Sequence, residues 1–261
     1  MTKIGVLGAG GRMGKMIIAE IAAGGKQDKI QLGAAVEQTD SEHLGNDVAD
    51  GVKITTDVDA AFDACDVLID FTAPDACAAH AGLAAKHGKP LVVGTTGLSK
   101  VEEEALIAAA KTTPVFYTAN MSIGVNLLLA LVEQAAAKLD ETFDIEIFEA
   151  HHRHKVDAPS GTALAVARAA AKGRNVKLDE SLVYHVPSVG PRRTGAIGMT
   201  VSRGGDIVGE HKVTFVGLGE RLELTHRATD RAIFAKGAVK AALWLKDQPA
   251  GLYSMHNVLD K

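Results

Sequence analysis

The stretch Glu149-Ala150-His151-His152-Arg153-His154-Lys155-Val156-Asp157-Ala158-Pro159-Ser160-Gly161-Thr162-Ala163 concentrates side chains that move protons and hold anions. Histidine titrates near neutrality, so His151 and its neighbours can donate a proton. Lys155 adds a point charge. Ser160-Gly161-Thr162 opens a helix directly after Pro159, and the free backbone N–H groups of a first helical turn make a carboxylate pocket. A lysine and histidines facing such a pocket suit a small substrate with two carboxylates, with His152 beside it. A solvated basic loop would also account for the charge. A zinc site is a third reading of the histidines. However, adjacent histidines on a strand point to opposite faces, and no nearby cysteine or carboxylate pair completes a ligand set, so no metal is expected.

A second chemical signal opens the chain. Lys3-Ile4-Gly5-Val6-Leu7 reads as a strand. It ends in Gly8-Ala9-Gly10-Gly11-Arg12-Met13-Gly14 and runs straight into helical spacing. Glycines let the backbone approach a pyrophosphate, and the helix N-terminus then offers N–H groups and a positive dipole. The G-x-G-x-x-G pattern is not met literally, because Met13 holds the third glycine position. Gly8, Gly11 and Gly14 form a variant. An acidic residue is expected roughly 20 residues further on, at the end of the second strand, and Glu37 fits. Phe71-Thr72, Gly94-Thr95-Thr96 and Thr118-Ala119-Asn120-Met121 follow later strands and are expected to line the same crevice. The cofactor implied is NADH, NADPH or both.

These residues need a scaffold. Runs near 4–7, 31–36, 66–71, 90–94 and 114–117 alternate with helices, the signature of a Rossmann-like parallel sheet. From Ser122 the character changes. A long helix to Lys138 precedes an alternating strand, Phe143 to Glu149, and a helix, Ser160 to Lys172. Strand-like runs follow at Val183 to Val186, Gly198 to Arg203, His211 to Val216 and Arg221 to His226, with Pro187 to Gly195 as a loop. This portion reads as an α+β domain with a mostly antiparallel open sheet. Asp230 to Leu245 is helical and is expected to pack back on the first domain. The predicted division is 1–121 with 231–261 for dinucleotide binding, and 122–230 for substrate binding and oligomerisation. With cofactor and substrate on different domains, hydride transfer is expected to need closure.

Composition removes several classes. The formal net charge is -4, a poor match to nonspecific nucleic-acid binding. No apolar run approaches the roughly 20 residues of a membrane helix, and no signal-peptide pattern is visible. Cys65 and Cys77, in alanine-rich surroundings, read as thiols of a reducing compartment. The expectation is a cytoplasmic enzyme without membrane or nucleic-acid partners.

The run from Glu149 to Ala163 resembles the signature of the 4-hydroxy-tetrahydrodipicolinate reductases, formerly called dihydrodipicolinate reductases. The resemblance covers nearly the whole chain and includes Gly8 to Gly14, Gly94-Thr95-Thr96, Asn120 to Asn126, Gly205 to His211 and Gly219 to Glu223. It implies NAD(P)H-dependent reduction of 4-hydroxy-tetrahydrodipicolinate with loss of water, in diaminopimelate and lysine biosynthesis, by a homotetramer assembled through its C-terminal domain. It further implies His151 as proton donor and Lys155 as second catalytic residue. His152, Gly161 and Thr162 would contact substrate. Gly8, Ala9, Gly10, Gly11, Arg12, Met13, Glu37, Gly94, Thr95, Thr96, Thr118, Ala119, Asn120 and Met121 would contact cofactor. Two positions depart from the family pattern. Gln38 stands where members often carry an arginine for the 2′-phosphate of NADPH, and Ala73 where they often carry another. Two rivals remain. One is another two-domain dehydrogenase, although neither cysteine lies in a loop suited to thioester chemistry. The other is a dinucleotide-sensing protein, which would not need the His–Lys cluster.

Overall fold

The computed structural model of the chain describes residues 1–49, 51–184 and 190–260. In chain order the first elements are β1 (Thr2–Leu7), α1 (Arg12–Asp28), β2 (Ile30–Val36), β3 (Asp47–Ala49), β4 (Val52–Thr55), α2 (Val58–Ala64), β5 (Val67–Asp70), α3 (Pro74–His87), β6 (Leu91–Val93), α4 (Lys100–Ala109) and β7 (Pro114–Tyr117). Then come α5 (Ile123–Lys138), β8 (Asp144–His151), α6 (Gly161–Arg174), α7 (Leu178–Ser181), β9 (Leu182–Tyr184), β10 (Ile197–Arg203), β11 (Gly209–Val216) and β12 (Arg221–Ala228). The chain closes with α8 (Ala232–Leu245), β13 (Gly251–Tyr253) and α9 (Met255–Leu259).

The chain divides into two compact units, Met1–Ser122 with Ala232–Lys261, and Ile123–Arg231. In the first, short apolar strands alternate with helices, which serve as the crossovers that parallel pairing requires. The sheet order is β13-β7-β6-β5-β1-β2-β4-β3. Every pairing is parallel except β3 with β4 at one edge. Leu7, Leu68, Leu91 and Val115 pack with Phe62, Cys77 and Leu106 from the helices in one core. Local chemistry sets the helix ends. Ser99 and Glu102 form a capping box on α4, and Gly88 closes α3 in the left-handed conformation. Helix α8 belongs to this unit. A Cβ at Gly237 would meet the Met121 carbonyl oxygen, so the helix backbone lies directly on the segment after β7.

The second unit carries a five-stranded sheet in the order β12-β11-β8-β10-β9. Its pairing is mixed rather than mostly antiparallel. β12–β11 and β11–β8 are antiparallel, whereas β8–β10 and β10–β9 are parallel. The reason is connectivity: α6 supplies a crossover after β8, which returns the chain in the same direction. Ile145, Ile147, Ile197, Met199, Val213 and Phe215 point to one face and pack under α5 and α6, with Leu128, Val132, Ala163 and Val166. The strand expected over Val183 to Val186 runs Leu182–Tyr184, and residues 185–189 lie outside the described ones. Strands β3, β4 and β13 and helices α2, α7 and α9 are additions to the sequence reading.

Candidate functional sites

In the first unit, β1 delivers the glycine turn to the N-terminus of α1. Gly8 has φ +82, and a Cβ there would stand 2.5 Å from the Phe71 carbonyl oxygen. A Cβ at Gly14 would stand 2.1 Å from the Gly8 carbonyl oxygen. Gly14 therefore supplies the close helix–strand approach that the usual third glycine provides, which explains why Met13 is tolerated. Glu37 directly follows β2, beside this turn. Its carboxylate accepts the Gly10 amide at 2.9 Å and the Gln38 amide at 3.1 Å.

A cavity of about 510 Å³ opens here, lined by residues that include Gly8, Gly11, Glu37, Gln38, Thr72 and Ala73. Its size is that of a small-molecule site. Glycine cradle, helix N-terminus and carboxylate together fit a dinucleotide. Gln38 and Ala73 lie on the wall itself, so both departures from the family pattern face the same cavity.

Thr95 is buried, and its hydroxyl donates to Asp70 Oδ1 at 3.1 Å. Asp70 also accepts the Thr72 amide and hydroxyl at 2.9 and 2.6 Å, and His80 Nδ1 at 2.6 Å. Thr95 thus braces the turn after β5, while Thr96 is exposed. Thr118 and Asn120 form a turn after β7. Asp70 and His80 were not anticipated, and neither was His43. A Cβ at Gly10 would meet its ring at 2.4 Å, and Lys15 Nζ lies 3.2 Å from its Nε2.

In the second unit, cross-strand register assembles the basic cluster. Alternation along β8 places Glu149 and His151 on the same face as Ile145 and Ile147. Arg203 of β10 stands opposite His151, and His211 of β11 stands opposite Glu149. Glu149 is fully buried. Its Oε2 accepts His151 Nδ1 at 2.5 Å and Arg203 Nη1 at 3.0 Å. Its Oε1 accepts Arg203 Nη2 at 2.8 Å and the Ser160 amide at 3.0 Å. The Ser160 hydroxyl accepts the Ala163 amide at 3.1 Å, capping α6. His211 contacts that hydroxyl at 3.3 Å and meets His151 edge to face.

The electrostatics follow from this packing. Burial pushes the Glu149 carboxyl up, but Arg203, the Ser160 amide and His151 outweigh it and hold it below the usual range. Burial pulls His151 below the ordinary histidine value, against the opposing pull of Glu149. His211 is pushed down to about 4 by burial and by His151, so it stays neutral.

Lys155 Nζ pairs with Asp157 Oδ1 at 2.7 Å. The Asp157 carboxyl is held low by Lys155 first and also by the Gly161 amide of the α6 turn. The lysine thus already holds a carboxylate close to the start of α6. His152 lies half-buried with Nε2 3.4 Å from Arg231. Thr162 follows Gly161 in the first turn of α6.

Among the described residues, one group has the spacing to hold a metal ion: Glu149, His151 and His211. It is not the His151-His152-His154 set weighed from sequence. Both Glu149 oxygens accept Arg203, so a cation would have to meet a guanidinium. The donor set is that of a proton network.

Comparison with known proteins bears on what these sites serve. The description "Dihydrodipicolinate reductase, N-terminus" matches residues 2–121, and "Dihydrodipicolinate reductase, C-terminus" matches residues 124–259. The chain belongs to the dihydrodipicolinate reductase family. It is 46% identical over 264 residues to the 4-hydroxy-tetrahydrodipicolinate reductase of Cupriavidus metallidurans, covering 98% of each chain. It is 49% identical over 262 residues to that of Ruegeria sp., covering 97% of this chain and 96% of that one. The fold matches a dipicolinate-bound dihydrodipicolinate reductase from Paenisporosarcina sp., with TM-score 0.83 at 23% identity, covering 99% and 100% of the two chains. The family is one of NAD(P)H-dependent oxidoreductases, and the N-terminal Rossmann-like domain binds the dinucleotide.

In the basic cluster, the residues that the sequence left without a role are Glu149, Arg203 and His211. Glu149 and His151 share the two-residue spacing of one strand face, a signal that was present. Arg203 and His211 carried no such mark, because only strand register brings them in.

Proposed function

We propose that the chain reduces 4-hydroxy-tetrahydrodipicolinate to tetrahydrodipicolinate with loss of water, using NADH or NADPH, with His151 as proton donor and Lys155 as the second catalytic residue. When bound, the dihydronicotinamide supplies the hydride that adds to C4 of the dehydrated, conjugated-imine ring. That addition leaves an electron-rich enamine, and protonated His151 delivers a proton to it. Burial of the imidazole makes its charged form a stronger acid, which favours the transfer. Lys155 with Gly161 and Thr162 would hold a substrate carboxylate and offset its charge, with His152 beside it. Ser160, expected to join them, is buried, with its amide given to Glu149 and its hydroxyl to the α6 cap, so it supports the turn from beneath. The observation that carries this reading is the buried Glu149–His151–Arg203 network, with Lys155 already holding the Asp157 carboxylate in the loop that follows it.

On the cofactor side we assign Gly8 to Met13, Glu37, Gly94 to Thr96 and Thr118 to Met121 to dinucleotide contacts. Support comes from the glycine cradle and from Glu37 at its rim. The proposed assembly is a homotetramer formed through the second unit. One face of its sheet lies away from α5 and α6 and exposes Phe148 and Val216. A cytoplasmic setting is proposed as well. No described helix is long and apolar enough to cross a membrane, and both cysteines are free, with burial pushing their thiols up to about 11 and 12. Such thiols are poor nucleophiles, which weighs against the thioester dehydrogenase reading.

Kinetics of two variants test the roles. His151→Gln should lower kcat by roughly 10²–10⁴-fold, the range for a lost general acid, with dinucleotide affinity unchanged. Near-native turnover in that variant would remove His151 from its role. Lys155→Ala should lose both turnover and substrate affinity.

A further inference from the structure

Glu149 takes no part in the roles assigned above, yet it is the most heavily bonded side chain of the cluster. It has no exposure to solvent and accepts four hydrogen bonds from three different elements. Two come from the Arg203 guanidinium, whose planar fork fixes the plane of the carboxylate. Arg203 is anchored in turn, donating to the carbonyls of Ser202 at 2.7 Å and Asp157 at 2.6 Å. The remaining two bonds go to His151 Nδ1 and to the Ser160 amide.

A carboxylate can only accept at this distance, so Nδ1 of His151 must carry a hydrogen. The neutral imidazole is then the Nδ1–H tautomer, and the exchangeable proton belongs to Nε2. That atom faces Gly209, where a Cβ would stand only 3.0 Å from it. We propose that Glu149, clamped by Arg203, is the positioning residue of the proton donor: it fixes the tautomer and orientation of His151 so that Nε2 delivers the proton, and through the Ser160 amide it ties that imidazole to the carboxylate-holding turn of α6.

The charged and titratable groups facing His151 are Glu149 on its own strand, Arg203 on β10, His211 on β11 and Lys155 in the following loop. His211 is neutral, and Lys155 and Arg203 both disfavour the imidazolium. Glu149 alone among them favours it. Removing its charge therefore has a directional effect on titration, which loss of packing would not produce.

The inference rests on the proposed reaction for its kinetic arm only. In wild type, Glu149→Gln and Glu149→Asp, the protonation of His151 is followed by NMR of the imidazole with pH. Independently, kcat is followed with pH. In Glu149→Gln the His151 titration should move to lower pH and the tautomer should become mixed. The fall of kcat on the basic side should move the same way, with about a tenfold loss at neutral pH that is partly regained on acidification. Binding of dipicolinate, measured by calorimetry, should weaken severalfold. In Glu149→Asp the charge stays but Nδ1 is out of easy reach, so the titration should fall between the other two. That variant carries the test if the Gln variant does not fold. A folded variant with an unmoved His151 titration, and a kcat lowered equally at every pH, would overturn the positioning role. A wild type that never turns over the substrate would count against the reaction, while the NMR titration would still decide on Glu149.

Discussion

Replacing Arg203 by methionine strips the buried Glu149 carboxylate of both its guanidinium bonds while keeping most of the side-chain volume. Breaking a buried ion pair by removing one partner costs about 3–5 kcal/mol, because the other charge is left uncompensated. Two facts reduce this here. Arg203 is 19% exposed, and the Ser160 amide and His151 still donate to the carboxylate. A loss of about 2–4 kcal/mol at pH 8 follows.

Its pH dependence is more diagnostic than its size. In the wild type the Glu149 carboxyl is held low, so its contribution is present above the ordinary carboxylate value and is lost as pH falls through the lowered one. In Arg203→Met burial is no longer opposed by the guanidinium and the carboxyl rises. The deficit is then largest at high pH and shrinks toward pH 5, as a proton taken up by Glu149 or His151 relieves the charge. Thermal melts at pH 8 and pH 5 read this directly, with a shift of roughly 2–4 °C per kcal/mol for a chain near this size. A loss below about 1 kcal/mol, or an equal loss at both pH values, would refute the view of Glu149 as a buried charge held by Arg203.

Gly209→Ala should lower kcat at least tenfold with dinucleotide affinity intact, since the new methyl would crowd His151 Nε2 at 3.0 Å; an unchanged kcat would place the transferred proton elsewhere. The value of kcat/KM, which reports the free enzyme, should fall as pH rises, at a midpoint below the ordinary histidine value, because His151 must be protonated and burial lowers it. A midpoint above that value would argue against His151 as the acid. NADH should serve at least as well as NADPH, because Glu37 and Gln38 offer the 2′-phosphate a repelling charge and a neutral amide. Gln38→Arg should move the kcat/KM ratio toward NADPH by about fivefold, the gain of a charge-assisted over a neutral hydrogen bond, and a ratio left unchanged would show that position 38 does not set the choice.

The parts of this architecture carried by local pattern were legible in the sequence. Glycines at 8, 11 and 14 between a strand and a helix announced the cofactor turn. Glu37 lay at the expected distance, and Pro159-Ser160 marked the start of α6. What local pattern does not encode is register. Arg203 lies more than fifty residues from Glu149 in the chain and reaches it only because β10 pairs with β8 in parallel. The same holds for His211, which β11 brings opposite Glu149. Parallel pairing was itself underestimated, because short strands after a long loop look alike whichever way they run. Asp70 read as the end of a buried strand, and nothing near it in sequence revealed that His80 and Thr95 would close on its carboxylate.

The central claim is a chemical one, and an initial-rate assay reaches it most directly. Wild-type protein is mixed with enzymatically generated 4-hydroxy-tetrahydrodipicolinate and either NADH or NADPH, and loss of the dihydronicotinamide absorbance is followed, with His151→Gln in parallel. The account predicts substrate-dependent oxidation that His151→Gln reduces by roughly 10²–10⁴-fold. Folded wild-type protein that oxidises neither cofactor with fresh substrate, or a His151→Gln variant as fast as wild type, would contradict it.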